Sequence, residues 1–301
     1  MQHKNGARIR TRALVLLLIV STILARRILL DTFVLALHDD QYTHILLILP
    51  LSFALMYTEW PNLGEMRPPS FGAGSALIMG AILITIFVGV RGGALSPDVQ
   101  LSCRMFVLVL FWIGAFALCL GSAATRALIF PLCFLFWLVP LPGFALAAVI
   151  NLLQHGSALS ARWLFTAVGI PVSQSGFVLT IPGLSVEVAQ ECSSIRSSSM
   201  LVVTTMVLAQ VLLRSPWRKT LVIAIAVPLS VAKNGLRIFT IAMLGTRVDP
   251  AYLTGRLHHQ GGIVFFGAAL VLEFALIWVL RCGEVKETDL TLIAASSGHR
   301  V

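Results

Sequence analysis

Residues 219–244 read KTLVIAIAVPLSVAKNGLRIFTIAML. The run is longer than the ~20 residues a helix needs to cross a bilayer. Lys233, Asn234 and Arg237 nevertheless stand inside it. An Arg or Lys at the centre of a span costs ~2.5–3.5 kcal/mol on insertion scales. Such residues are therefore functional candidates by default. Asn234 and Arg237 are three apart and share a helix face. Taken alone, Arg237 reads equally well as an anchor whose charge snorkels to the interface.

Outward from this run the chain keeps the same character. Apolar segments recur near 13–30, 44–57, 71–90, 101–121, 124–139, 144–168, 188–213 and 260–281. Hydrophobic residues make up 57% of the 301 residues and charged residues 12%. The latter is about half the roughly 25% of soluble domains. The mean hydropathy is +0.91. This composition excludes a cytosolic enzyme, a disordered chain and a secreted disulfide scaffold. The net charge of +9 comes from bases scattered at segment ends. That pattern reads as membrane anchoring and not as a nucleic-acid surface.

The expected fold is an all-α polytopic membrane protein of about eight transmembrane helices. Segment 144–168 is excluded from that count. It carries Asn151, Gln154, His155, Ser157, Ser160 and Arg162 between Pro140/Pro142 and Gly169/Pro171. It reads as an interfacial or re-entrant helix. Residues 171–189, PVSQSGFVLTIPGLSVEVA, combine strand formers with a Pro182-Gly183 turn signal and predict a short outer hairpin. The organisation expected is a basic cytoplasmic tail over 1–12, one integral membrane domain over 13–281 and a cytoplasmic tail over 282–301. Lys4, Arg8, Arg10 and Arg12 place the N-terminus inside, and counting through puts the RSPWRK loop at 214–219 inside as well.

Two further segments carry chemistry. In VAQECSSIRSSSM, residues 188–200, Cys192 stands at the outer, N-terminal end of an apolar span, with Arg196 one turn deeper. Exposed amide N–H groups and a nearby cation stabilise a thiolate. A buried, inert thiol beside a polar helix interface is the competing reading. In RLHHQGGIVFFG, residues 256–267, His258 and His259 precede the last span. They can act as acid or base near neutral pH, or simply sit at the interface. Adjacent histidines suit one metal ion poorly, so no metal is expected. The five cysteines, Cys103, Cys119, Cys133, Cys192 and Cys282, are odd in number and form no CxxC, which argues against a disulfide framework or a zinc site. The topology counted from charge places Cys192, Arg237 and His258 at one membrane face. Thiolate, guanidinium and imidazole together supply a nucleophile, an oxyanion donor and a proton carrier.

The sequence resembles the exosortase/archaeosortase family of membrane transpeptidases over roughly residues 38–280. Glu191-Cys192-Ser193-Ser194-Ile195-Arg196 is similar to that family's Cys-Ser-Gly-Ile-Arg segment, with Ser194 where glycine is usual. Asn234-Gly235-Leu236-Arg237-Ile238 is similar to its Asn-x-x-Arg-Ile segment. His258, with Gly262 four residues later, resembles its His-x-x-x-Gly segment. Tyr42-Thr43-His44 and the Pro131–Pro142 stretch add to the likeness. The resemblance implies a cysteine peptidase/transpeptidase of the cell (inner) membrane, with its active site on the extracytoplasmic side. Its partners would be substrate proteins with a C-terminal sorting signal, made of a motif such as Pro-Glu-Pro, one transmembrane helix and a basic tail. It further implies Cys192 as nucleophile, Arg237 and His258 as its catalytic partners, and Arg196, Asn234 and His259 in support. No cofactor is expected. The alternatives are a transporter whose intramembrane charges line a path, or a structural component of a polysaccharide export system. HExxH and GxSxG are absent, so the usual zinc and serine protease signatures fail.

Overall fold

The computed structural model describes residues 2–60, 71–188, 195–254 and 262–297, with side chains over 8–60, 72–188, 195–253 and 262–284. The chain forms two compact units, Met1–Leu146 and Ala147–Val301.

The first unit holds α1 (Gln2–Leu24), α2 (Arg26–His38), α3 (Ile45–Glu59), α4 (Phe71–Arg91), α5 (Pro97–Ala127) and α6 (Ile129–Phe134). The first apolar segment is a pair of helices bent by 68° about Ala25. The longest helix, α5, kinks at Gly121, packs along α4, and meets α1 where Trp112 Nε1 donates to Ser21 Oγ at 3.1 Å. After α6 and a 3-10 turn over Leu135–Leu138, the chain runs extended through Pro140-Leu141-Pro142. Two carbonyls and one amide of this strap are held by side chains. Ser102 Oγ donates to Pro140 O at 2.7 Å, Tyr42 OH donates to Leu141 O at 2.7 Å, and Gly143 N donates to Asp98 Oδ2 at 2.6 Å. Prolines remove backbone donors and break helical pairing, so side chains take over the carbonyls that helix neighbours would otherwise satisfy. Burial, with the Asp39 and Asp98 carboxylates adding, pushes the Tyr42 phenol up to about 12, which keeps it a donor.

Most of α7 (Gly143–Ala167) lies in the second unit. It is followed by β1 (Ser173–Ser175), β2 (Val178–Ile181), β3 (Leu184–Glu187), α8 (Ile195–Leu212), α9 (Pro216–Arg247), α10 (Ala251–Thr254) and α11 (Gly262–Ser297). The strands form an antiparallel sheet in the order β1-β2-β3. Its β2–β3 turn places Pro182 before Gly183, whose φ of 83° is the left-handed position that a type II turn assigns to glycine. Leu179 and Ile181 of β2 pack with Ala158, Ala161 and Phe165 of α7 and with Ile238 and Ala242 of α9. Helices α7 and α9 approach closely. A Cβ on Gly235 would collide with the Ser160 side chain and come within 3.0 Å of Ala161 N, so only glycine fits there.

At the opposite end, α8, α9 and α11 converge on Ala209, Leu213, Val222 and Ile277. The Glu284 carboxylate there accepts the backbone N–H groups of Arg214 (3.0 Å) and Ser215 (2.8 Å), just ahead of the first turn of α9. Arg218 Nη1 donates to Leu280 O at 2.9 Å and lies 4.0 Å from Glu284. A carboxylate at a helix N-terminus satisfies orphan donors and opposes the helix dipole.

Six helices among the described residues are long and apolar enough to cross a membrane, and seven if the bent α1–α2 pair makes one span. The all-α polytopic fold and the small sheet therefore stand, with two adjustments. The segments at 44–57 and 124–139 are not long spans. One is the 15-residue α3 with Pro50 inside it, and the other is the short helix α6 with its 3-10 extension. Segment 144–168, expected to be interfacial or re-entrant, is one continuous 25-residue helix of sufficient length and apolarity to span. Its polar residues do not disqualify it, because Gln154 and Ser157 are buried and hydrogen-bonded inside the unit. Exposed Ile82, Leu83, Phe87, Val271 and Trp278 on α4 and α11 present wide apolar surface, as a lipid-facing protein must.

Candidate functional site

Lys233, Asn234 and Arg237 lie in the second half of α9, and each is directed by the helix period. Asn234 faces α7, and its Nδ2 donates to Ser157 Oγ at 2.8 Å. Lys233, one position earlier, points to the other side. Its Nζ donates to Ser197 Oγ of α8 at 2.5 Å and lies 5.9 Å from the centre of the Phe266 ring of α11. Both side chains are almost completely buried. Arg237 is half-buried one turn beyond Lys233.

Arg237 and Asn234 line the same cavity, of about 220 Å³, as their spacing predicts. Its walls come from three elements. Strand β3 supplies Leu184, Ser185, Val186 and Glu187, α9 adds Ile238, Ile241 and Ala242, and α10 adds Leu253. The cavity is mainly apolar, with the guanidinium as its cation. Few polar groups in an apolar recess is the usual form of a ligand site. The end of β3 is fixed by Gln154, whose Nε2 donates to Val188 O at 2.8 Å.

Cys192, His258 and His259 lie outside the described residues. Cys192 follows Val188 by four residues and precedes the first residue of α8 by three. His258 follows Leu253 by five. Arg196, expected to support Cys192, is exposed on the first turn of α8 and is not part of the cavity wall. Among the described residues no three His, Cys, Asp or Glu side chains cluster as metal ligands do.

Further features become visible only in the folded chain. Ser197 follows Arg196 in the serine run of residues 188–200, but its pairing with Lys233, like the edge residues Ser185 and Glu187, is found only once the chain is folded. Glu273 has a signal of its own. It is the acidic residue of the apolar run GAALVLEFALIW, and the rule that singles out Lys233 and Arg237 applies equally to it. It is completely buried, and neither carboxyl oxygen has a hydrogen-bond partner among the described residues. Buried Ser198 Oγ and Thr205 Oγ1 on α8 likewise have no hydrogen-bond partner among the described residues.

A set of apolar helices long enough to span, and a small sheet packed on two of them beside an arginine-bearing cavity, define a multi-pass membrane protein with buried polar residues in its second unit. The family model for transmembrane exosortases matches residues 36–275. That match takes in well over half of the chain, and the protein belongs to the transmembrane exosortase family. No curated protein and no solved structure matches it.

Proposed function

We propose that this exosortase is a cysteine transpeptidase that cleaves C-terminal sorting signals at the outer face of the cell membrane. The observation that carries the reading is the cavity at Arg237. One wall, β3, runs directly into the segment bearing Cys192, and another, α10, runs into the segment bearing His258. The recess holds one of the three motifs, and the chain leads from two of its walls into the other two.

The substrate is an exported protein ending in a recognition motif, a transmembrane helix and a basic tail. Its helix packs in the lipid beside the protein, and its motif reaches the cavity. The Cys192 thiolate attacks the carbonyl carbon of the scissile peptide bond. The oxyanion formed is met by the fork of N–H donors on Arg237. As the C–N bond breaks, His258 gives its proton to the departing amine nitrogen, leaving a thioester on Cys192. An acceptor amine or water then attacks the thioester, His258 takes the proton released, and the thiolate leaves. Arg196 favours the thiolate, Asn234 orients the α9 face that carries Arg237, and His259 supports its neighbour. No metal or organic cofactor enters these steps.

The test is a reporter ending in Pro-Glu-Pro, a transmembrane helix and a basic tail, co-expressed with the protein. Wild type should convert precursor to a shortened product, and Cys192→Ala, made at the same level, should accumulate precursor. Equal processing by both would end the nucleophile assignment, and no processing by either would favour a transporter.

A further inference from the structure

The sheet beside Arg237 has two edges that no strand covers among the described residues, and one of them, on β3, faces the cavity. In the order β1-β2-β3, the outer edge of β3 is unpaired among the described residues. The register shows which backbone groups it presents. Val178 pairs with Glu187, Leu179 with Val186, Thr180 with Ser185 and Ile181 with Leu184. Val188 N donates to Phe177 O at 2.9 Å, which makes 177/188 a hydrogen-bonded pair. Antiparallel ladders alternate bonded and non-bonded pairs. The bonded pairs are therefore 177/188, 179/186 and 181/184, and Leu184 and Val186 turn their N–H and C=O groups toward β2. Those of Ser185 and Glu187 point the other way, off the edge. Both residues line the cavity that holds Arg237.

We infer that the substrate's recognition segment binds as an added strand on the outer edge of β3, between that edge and α9, with Arg237 at the carbonyl to be attacked. This deepens the transpeptidase reading and rests on it. Four backbone groups spaced over two residues are matched by another extended backbone and not by a helix or an acyl chain. The apolar walls at Ile238, Ile241 and Leu253 suit side chains at alternate positions of such a strand. Charge agrees as well, because the cavity's guanidinium complements the carbonyl oxygen of a bound peptide and, more strongly, the oxyanion it becomes. Strand addition also accounts for selection of an extended segment ahead of the substrate's own helix, since a helical backbone has no groups left to pair.

The test uses the full chain in membranes, with Cys103, Cys119, Cys133, Cys192 and Cys282 replaced and Ser185→Cys added. A single cysteine is walked through the reporter's Pro-Glu-Pro segment and the residues before its helix, and disulfide crosslinks are scored after mild oxidation. The control is Ser173→Cys on β1, the far edge of the sheet. Crosslinks from Ser185→Cys at every second reporter position, with none from Ser173→Cys, are expected. Crosslinks at consecutive positions, at every third or fourth position, or none at all would overturn the added strand and leave the cavity to a lipid chain. Processing by wild type is measured in parallel. Alternating crosslinks without processing would retain the strand and sink the cleavage chemistry. Processing without alternation would do the reverse. A second variant, Ser185→Pro in the otherwise native protein, removes one edge donor and should lower processing at least tenfold while the protein accumulates normally; unchanged processing would count against the strand.

Discussion

The two compact units differ in the buried polar groups they hold. In residues 1–146, apart from the Trp112–Ser21 bond, the long-range polar contacts gather on the main chain around one proline strap. Ser102 and Tyr42 donate to carbonyls of the Pro140–Pro142 strap, and Asp98 accepts the amide of Gly143. In residues 147–301 Gln154 and Arg218 also close on main chain, but Lys233 pairs with Ser197, Asn234 pairs with Ser157, and Glu273 has no hydrogen-bond partner among the described residues. The first arrangement satisfies backbone that prolines have deprived of partners, and it has done its work once the chain is folded. The second keeps charge and hydroxyls in an apolar interior beside a cavity, at a cost that packing alone does not explain. On the proposed transpeptidase function, the difference separates architecture from chemistry. All three sequence motifs fall in the second unit.

The sharpest way to break this contrast is to remove the chemistry without touching the packing. Cys192→Ala and His258→Ala should each reduce processing of the tail-bearing reporter to background, with unchanged protein levels. His259→Ala should be milder, because only His258 has glycine at the fourth position after it. Precursor-to-product ratios at matched expression decide the matter. Full processing by His258→Ala with loss in His259→Ala would move the proton carrier by one residue.

Arg237→Lys comes next in size. Lysine keeps the positive charge, so insertion should survive, but it lacks the planar fork that holds two donors toward one oxygen. Loss of one oxyanion donor costs ~10²–10³ in rate, and a deficit of that order is expected in initial rates of processing. Wild-type rates in Arg237→Lys would make Arg237 an anchor, and the cavity would lose its catalytic meaning.

Much of this contrast is legible in the residues themselves. The apolar runs and the cost of charge within them point to a polytopic helical protein and single out Lys233, Asn234 and Arg237. The spacing of Asn234 and Arg237 puts them on one face, and they share one cavity. What is not legible depends on partners. Segment 144–168 reads as too polar to span because a sequence does not reveal that Gln154 meets Val188 O or that Ser157 meets Asn234. The expected count of about eight spans exceeds the six or seven long helices where apolar content outruns helix length, in α3 with Pro50 and in the short α6. The sheet edge at Ser185 and Glu187 is hidden for another reason: a strand's register follows from pairing, and no side-chain motif encodes it.

Packing should yield smaller effects of another kind. Gly235→Ala places a methyl group against Ser160 and the backbone of α7. Overpacking of this sort costs ~1–3 kcal/mol, and because Asn234 and Arg237 flank the site, both stability and processing should fall. Glu284→Gln instead weakens the charged clamp on Arg214, Ser215 and Arg218. Hydrogen bonds to charged groups contribute ~1.5–3 kcal/mol at most. The expected outcome is a lower thermal midpoint in detergent with normal processing per molecule. A processing defect in Glu284→Gln at normal stability would tie that end of the bundle to the reaction.

The smallest effect is expected in the first unit, and it carries a pH signature. Tyr42→Phe removes one hydrogen bond, to Leu141 O, at a cost of ~0.5–1.5 kcal/mol. Processing should be unchanged, since the bond holds a proline strap and nothing in the second unit's chemistry depends on the phenol. The phenol is raised from 10.0 to about 12 in the fold, first by burial and then by Asp39 and Asp98. A group whose folded value lies above its unfolded value contributes stability that is fully present below the unfolded value. That contribution is lost as pH rises toward the folded one. Wild type should therefore lose stability between about pH 10 and 12 beyond what Tyr42→Phe loses, because phenylalanine has no proton to give up. Thermal midpoints of the two proteins in detergent, at roughly pH 9 and pH 11.5 to bracket that window, give the comparison directly. Parallel losses would show that the strap is held by Ser102 and Asp98 without help from Tyr42. A processing defect in Tyr42→Phe would erase the division between a unit that supports and a unit that reacts.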